Sequence, residues 1–253
     1  MRHPDRFAWP DGIRAGVSLT FDDGRDSQLA NCLPILDRCG VKAGFYMTPA
    51  SADPRLAEWQ AVAAAGHEIG NHSVKHTCSG NFCWAAENAL EDYTLEQIEA
   101  ELLEAQAAMA ERFGSPPRTF AYPCGQMFVG RGEQCRSYTP IVAKYFLAGR
   151  GFREETLNDP SFCDLARLTG TEGDRLTFEK LRTLADQARE QQAWIVLAMH
   201  DVGQAGPHQT VPADGLQQFC QHCTDAANGI WIDTVERIAE YISTNRSAAP
   251  EVP

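Results

Sequence analysis

Two histidines, His72 and His76, stand four residues apart in NHSVKH. On a helical turn that spacing puts both imidazoles on one side, where they can share a metal ion. By itself the pattern also fits two surface histidines on a loop. A second group sharpens it, because Asp22 and Asp23 are adjacent and run straight into Gly24. Neighbouring side chains of a strand diverge, so at a strand end one carboxylate can ligate a metal while the other takes a proton from its bound water. Asp-Gly is a common turn dipeptide, and alone the triplet would mean only an acidic turn. Two imidazoles and one carboxylate, however, leave coordination positions open for water and substrate, as a catalytic ion requires. A further histidine, His200, closes the apolar run WIVLAMH and precedes Asp201. It is either a satisfied core imidazole or a proton carrier at the same place.

Groups so far apart in sequence need a framework that gathers them. Strand-like and helix-like segments alternate along the chain. GVSLTF (16–21) is a β-prone run, SQLANCLPILDRCG (27–40) has helical spacing closed by Gly40, and VKAGFYMTP (41–49) is a strand. PRLAEWQAVAAAG (54–66) reads as a helix, HEIGNHS (67–73) as a strand and turn, and TLEQIEAELLEAQAAMAERFG (94–114) as the longest helix, with a capping box at Thr94 and Gln97. RTFAYPCG (118–125) is a strand into a turn, IVAKYF (141–146) a helix end, and DLARLTG (164–170) another strand. A helix (176–190), the strand WIVLAMH (194–200), a helix (216–228), the strand GIWIDT (229–234) and a final helix (235–245) follow. About seven such repeats without a linker predict one α/β barrel over residues 1–246, with SAAPEVP (247–253) a disordered tail. The C-terminal ends of barrel strands open on one face, so Asp22-Asp23, His72 to His76, Tyr122 to Gly125 and His200-Asp201 are expected at one mouth.

Composition narrows the partners. The 253 residues are 43% hydrophobic and 22% charged, as in soluble globular proteins. Twenty-two basic against 34 acidic side chains give a net charge of −12, which excludes the basic surface that a nucleic acid or an anionic membrane would need. MRHPDRFAWPDGIRAG has no apolar signal core and no run reaches a membrane span, so the expected location is cytoplasmic. Nine cysteines, an odd and scattered set, are expected to be mostly reduced thiols. CQHC at Cys220 to Cys223 suits one helix face better than a zinc site, since no second ligand pair stands at finger spacing.

TFDDG (20–24), HxxxH (72–76), FAYPCG (120–125) and LAMHD (197–201) occur in the order found in polysaccharide deacetylases, and on them the chain resembles that family. These are metal-dependent hydrolases with a NodB-type domain, carbohydrate esterase family 4. The flanks PILDRCGVKAGFYMTP (34–49), AAAGHEIGNHSVKH (63–76) and WIDTVERIAEYI (231–242) are similar too. The likeness runs from Trp9 to Ile242 and implies an irregular (β/α)7 barrel. It also implies Asp22 as general base, Asp23, His72 and His76 as metal ligands, His200 as general acid, and the backbone N–H of Cys124 as an oxyanion donor. Tyr122, Pro123 and Gly125 then flank the substrate.

There are departures from the family pattern. Many members carry an arginine beside this turn to orient the base, where Ala121 and Tyr122 stand; Arg167 is the expected substitute. Cys124 replaces an aromatic residue, and the aspartate that braces the catalytic histidine has two candidates, Asp159 and Asp164. The loop QMFVGRGEQCRSYTP (126–140) is expected on the rim. The resemblance implies an acetylated glycan or oligosaccharide as substrate, either N-acetyl or O-acetyl. Zinc is the expected ion, with cobalt, nickel or iron also suited to the ligand set. An allantoinase-type cyclic-amide hydrolase and a non-catalytic carbohydrate-binding barrel are the alternatives.

Overall fold

A computed structural model describes residues 7–206 and 208–246; the expected tail at 247–253 lies outside the described residues. Eight strands form one parallel sheet: β1 (Ala15–Asp22), β2 (Gly44–Met47), β3 (Glu68–Asn71), β4 (Thr119–Ala121), β5 (Ala148–Arg150), β6 (Gly170–Glu172), β7 (Trp194–Met199) and β8 (Ile230–Ile232). Seven of them follow the order β5-β4-β3-β2-β1-β7-β6. β1 is buried along its whole length, because helices cover one side and the barrel interior fills the other. One edge of β1 is shared, with Ala15–Val17 pairing β8 and Thr20–Asp22 pairing β2.

The two ends of the sheet meet at one bridge, Arg150 with Leu168. Gly151 N–H donates to Leu168 O at 2.8 Å, and Leu168 N–H donates to Gly149 O at 2.8 Å. These bonds make the sheet a nearly closed seven-stranded barrel, the expected fold. β8 lies off the seven-strand path.

The longer helices are α1 (Leu33–Cys39), α2 (Leu56–Ala64), α3 (Leu95–Phe113), α4 (Thr139–Tyr145), α5 (Phe178–Gln191), α6 (Ala213–Thr224) and α7 (Val235–Asn245). α3 starts at the expected box: Thr94 Oγ1 accepts from Gln97 N–H, and Gln97 Oε1 accepts from Thr94 N–H. It stops at Gly114, whose φ of 81° is a left-handed cap. The main core packs Phe21, Phe45, Trp59, Leu197 and Phe219 between sheet and helices. Cys220 and Cys223 belong to that core, as packed thiols on one face of α6. All nine cysteines are free. No helix among the described residues is long and apolar enough to cross a membrane.

Two strand placements differ from expectation. The segment 164–170 is not a strand; Leu165–Arg167 is a short 3-10 turn capped by Asp164, and pairing starts only at Leu168. The strand of that repeat is β6, and β5 is an additional three-residue strand that the reading of 141–146 as a helix end passed over.

Candidate active site

β1 carries Asp22 to the mouth and ends there because Asp23 turns into the left-handed region, φ 74°, followed by Gly24 at 62°. Asp23 N–H donates to Tyr46 O at 2.9 Å, which fixes the turn. The two carboxylates therefore part. Asp22 is buried against Arg150, and Asp23 faces the histidines.

His72 and His76 meet through an irregular loop rather than the expected helical turn. Ser73 and His76 both have positive φ, 61° and 52°. The loop is pinned from outside: Asn71 Oδ1 accepts from Ser73 N–H, Ser73 Oγ from His76 N–H, and Glu101 Oε1 from Lys75 N–H, at 2.8, 3.0 and 3.0 Å. The imidazole rings lie 4.7 Å apart, and each Nε2 is 3.7 Å from Asp23 Oδ1. Burial opposes charge on Asp23, but His72, the Arg25 guanidinium, His200 and His76 together outweigh it and hold its carboxyl at about 2. Burial holds the His72 imidazole down at about 4. Its Nδ1 lies 2.8 Å from Ala121 O; that carbonyl can only accept, so Nδ1 carries the proton and Nε2 is left as a lone-pair donor toward Asp23 and His76.

Three donor atoms thus converge, all within 4.8 Å of one another, with an acceptor carbonyl setting one ring's tautomer. This donor set fits a divalent ion of the zinc to cobalt type.

Asp22 meets the guanidinium of Arg150 directly, and Arg150 is wholly buried with its planar group over the Tyr46 ring at 5.0 Å. Arg167 does not fill that place. It sits exposed on the 3-10 turn outside the barrel, because the bridged residue of that segment is Leu168. The missing arginine is supplied by the end of β5.

Cys124 lies in the turn after β4 at φ 53°, and with Gly125 it lines the mouth. Gly125 is required, since a Cβ there would meet Phe152 backbone atoms at 2.8 Å. Tyr122 and Pro123 do not line the mouth as expected; both are buried. Tyr122 packs among Phe120 and Tyr138 and donates its hydroxyl to Ala166 O at 2.7 Å.

His200 closes β7. Its brace is Asp174, beyond β6, and neither Asp159 nor Asp164. Asp174 Oδ2 lies 2.7 Å from His200 Nδ1, and Oδ1 accepts from His200 N–H at 3.0 Å. Asp159 and Asp164 are exposed and bind nearby backbone, Ser161 N–H and Ala166 N–H. Gln209 Nε2 is 3.2 Å from His200 Nε2, and Phe152 meets the ring edge-on at 5.4 Å. Arg25, also missed in the sequence, ties Asp23 to Asp201 at 2.8 and 2.6 Å.

These groups share one cavity of about 790 Å³, whose rim includes Phe82 and Trp84. Cys78 lies beside His76 and Cys124. Hydrogen bonding from Cys124 holds its thiol down at about 5, and the same contact pushes the Cys124 thiol up.

Residues 11–131 match the family model for polysaccharide deacetylases. Over 105 residues, 41% of its length, the chain is 31% identical to a peptidoglycan-N-acetylglucosamine deacetylase of Bacillus cereus. It spans 36% of that protein, and only 5% of a Bacillus gellan lyase that it matches at 30% identity over 144 residues. Among solved structures, the Puue allantoinase superposes with a TM-score of 0.70 at 14% identity, covering 98% of this chain and 96% of that one. A family 4 acetyl xylan esterase from Clostridium thermocellum, in complex with a cobalt ion, superposes with a TM-score of 0.57 at 22% identity, covering 91% and 96%. At those identities the likeness is one of fold. With the barrel and the strand-end residues in place, residues 11–131, just under half of the chain, are similar in sequence to the polysaccharide deacetylase family.

Proposed function

We propose that the chain is a metal-dependent hydrolase that removes acetyl groups from an acetylated carbohydrate. One observation carries this reading: the buried Asp22–Arg150 pair and the Asp23–His72–His76 cluster open on the same cavity as the Asp174-braced His200.

Asp23, His72 and His76 would hold the ion, which when bound supplies Lewis-acid polarisation of the acetyl carbonyl and acidifies water. Asp22 accepts the proton of the attacking water, and Arg150 fixes its rotamer. The Cys124 N–H, held by the left-handed turn, donates to the developing oxyanion; such a donor is worth about 3 kcal/mol in comparable sites. His200 donates a proton to the departing amine or alkoxide. Asp174 holds a separate proton on Nδ1, so the donated proton sits on Nε2, and the same carboxylate stabilises the imidazolium that carries both. Arg25 draws Asp23 toward Asp201 and so sets the carboxylate that faces the imidazoles.

Zinc is the proposed ion, with cobalt, nickel or iron as suited replacements. N-acetyl amino sugars and O-acetyl glycans are the proposed substrates, by analogy with what the relatives' names state. The nine free thiols support a reducing, cytoplasmic location.

The test is acetate release from N-acetylated and O-acetylated oligosaccharides, after reconstitution with each of the four metals. Wild-type protein should release acetate. Asp22→Asn should keep the ion and lose turnover by about 100-fold or more, and His76→Ala should lose the ion. Hydrolysis of a cyclic ureide without acetate release would establish the allantoinase-type reaction instead, and glycan binding without any hydrolysis would mean a binding barrel.

A further inference from the structure

His76 stands between two sets of donors. On one side are Asp23 and His72. On the other are Cys78 and Cys124, whose ligating atoms also lie within 4.8 Å of one another and of His76. We propose that the mouth contains a second, sulfur-rich cation position built from His76, Cys78 and Cys124, which takes a thiophilic divalent ion such as Zn²⁺ or Cd²⁺.

The donors come from two separate turns. Cys78 follows the His72–His76 loop and is fully buried, while Cys124 is half-buried and lines the cavity together with His76. An ion can therefore arrive from the cleft side and find a sulfur behind. Bonds of about 2.3 Å to sulfur and about 2.0 Å to nitrogen set neighbouring ligands less than ~4 Å apart, so the trio needs to close by no more than about an ångström. Two thiolates and one neutral imidazole cancel the charge of a divalent ion, which keeps the cost of holding it in a partly buried place small. The remaining position on the ion faces the cavity. Sulfur also changes which ions are preferred: thiolates select soft d10 ions, whereas the Asp23–His72 side, with its carboxylate, favours harder ones.

Sharing one imidazole makes the two positions compete. An ion on the sulfur side draws His76 from Asp23 and His72, and it pins the turn that presents the Cys124 N–H. Thiophilic ions in excess should therefore inhibit the reaction. This competition rests on the function proposed above; the sulfur site itself does not.

Metal-free protein, reduced with a phosphine, is titrated with Co²⁺ while the sulfur-to-cobalt charge-transfer band is followed. That band cannot arise from Asp23 and the two histidines, so failure here is distinct from failure of the proposed function. Asp23→Ala protein, with His76 no longer shared, should give a strong band; Cys78→Ser in that background and His76→Ala should lose it. No band in Asp23→Ala protein, or an undiminished one after Cys78→Ser, would overturn the site. Because Cys78→Ser could misfold, a second measurement uses unaltered protein. Cd²⁺ should slow iodoacetamide labelling of Cys124 by about 10-fold and leave exposed Cys83 and Cys135 untouched. Equal labelling of Cys124 with and without Cd²⁺, or a Cys78–Cys124 disulfide in the isolated protein, would refute it.

Discussion

Replacing Arg150 by Met should reveal what holds Asp22. The guanidinium is wholly buried and Asp22 is only 3% exposed, so neither charge has water as a substitute partner. Methionine keeps much of the apolar stem over Tyr46 but removes the cation, leaving a buried carboxylate unpaired. Breaking such a pair from one side costs about 3–5 kcal/mol. For a chain of this size each kcal/mol lowers Tm by about 2–4 °C, so metal-free Arg150→Met should melt roughly 6–20 °C lower. Adding Asp22→Asn should then restore stability, because the orphaned charge is gone. The double variant should be more stable than either single one, with a coupling energy of several kcal/mol. Catalysis should behave alike: Arg150 acts only through Asp22, so on top of Asp22→Asn its loss should leave kcat unchanged. Urea unfolding of the four proteins and steady-state acetate release suffice. If Arg150→Met costs the same in the wild-type and Asp22→Asn backgrounds, the arginine is a packing residue and not the partner of the base.

Other outcomes follow from the same contacts. Asp174→Asn should lower kcat about 100-fold or more with little change in KM, since the amide can no longer hold the His200 tautomer; steady-state kinetics within threefold of wild type would refute the brace. His67 is buried beyond the site, and burial followed by the Lys42 charge holds its imidazole down at about 4 against 6.5. The unfolded chain therefore binds the extra proton, and stability is lost as pH falls from 6.5 through 4, by about 3 kcal/mol. His67→Gln should remove that share of the slope in urea titrations at pH 7 and 4.5, leaving the similar share from His72 in metal-free protein. An unchanged slope would mean that His67 titrates freely in the folded state.

Much of the site was legible because its residues close recognisable strands. Asp22-Asp23 ends an eight-residue run, and His200 ends a six-residue one, each long enough for its periodicity to show. Arg150 and Asp174 were missed for one reason. Their strands are three residues long, too short for any periodic signal, and their pairing comes from neighbours already in the sheet. Placing a strand at 164–170 rather than Gly170–Glu172 moved the expected strand end by two residues or more, and with it the choice of aspartate. Arg167 is the arginine inside that misplaced strand, which is why it stood as the expected substitute. The one clue was LAGRGF, an arginine between glycines after a helix, which a buried cation with a backbone neighbour on each side would suit. The meeting of His72 and His76 through positive φ angles was not legible, because serine does not signal that conformation and histidine, though enriched in it, adopts it only in a small minority of cases.

The bridge that closes the barrel uses Arg150 itself, paired with Leu168. A seam of one residue pair is the part of a sheet most apt to open locally, well below the free energy of global unfolding. The same backbone that breathes there carries the cation on which Asp22 leans. Opening of the seam should therefore withdraw the cation from Asp22, and whatever clamps the seam should keep the carboxylate in place. Amide exchange at Gly151 and Leu168, whose N–H groups make the seam bonds, thus measures from the backbone how often the site is disarmed.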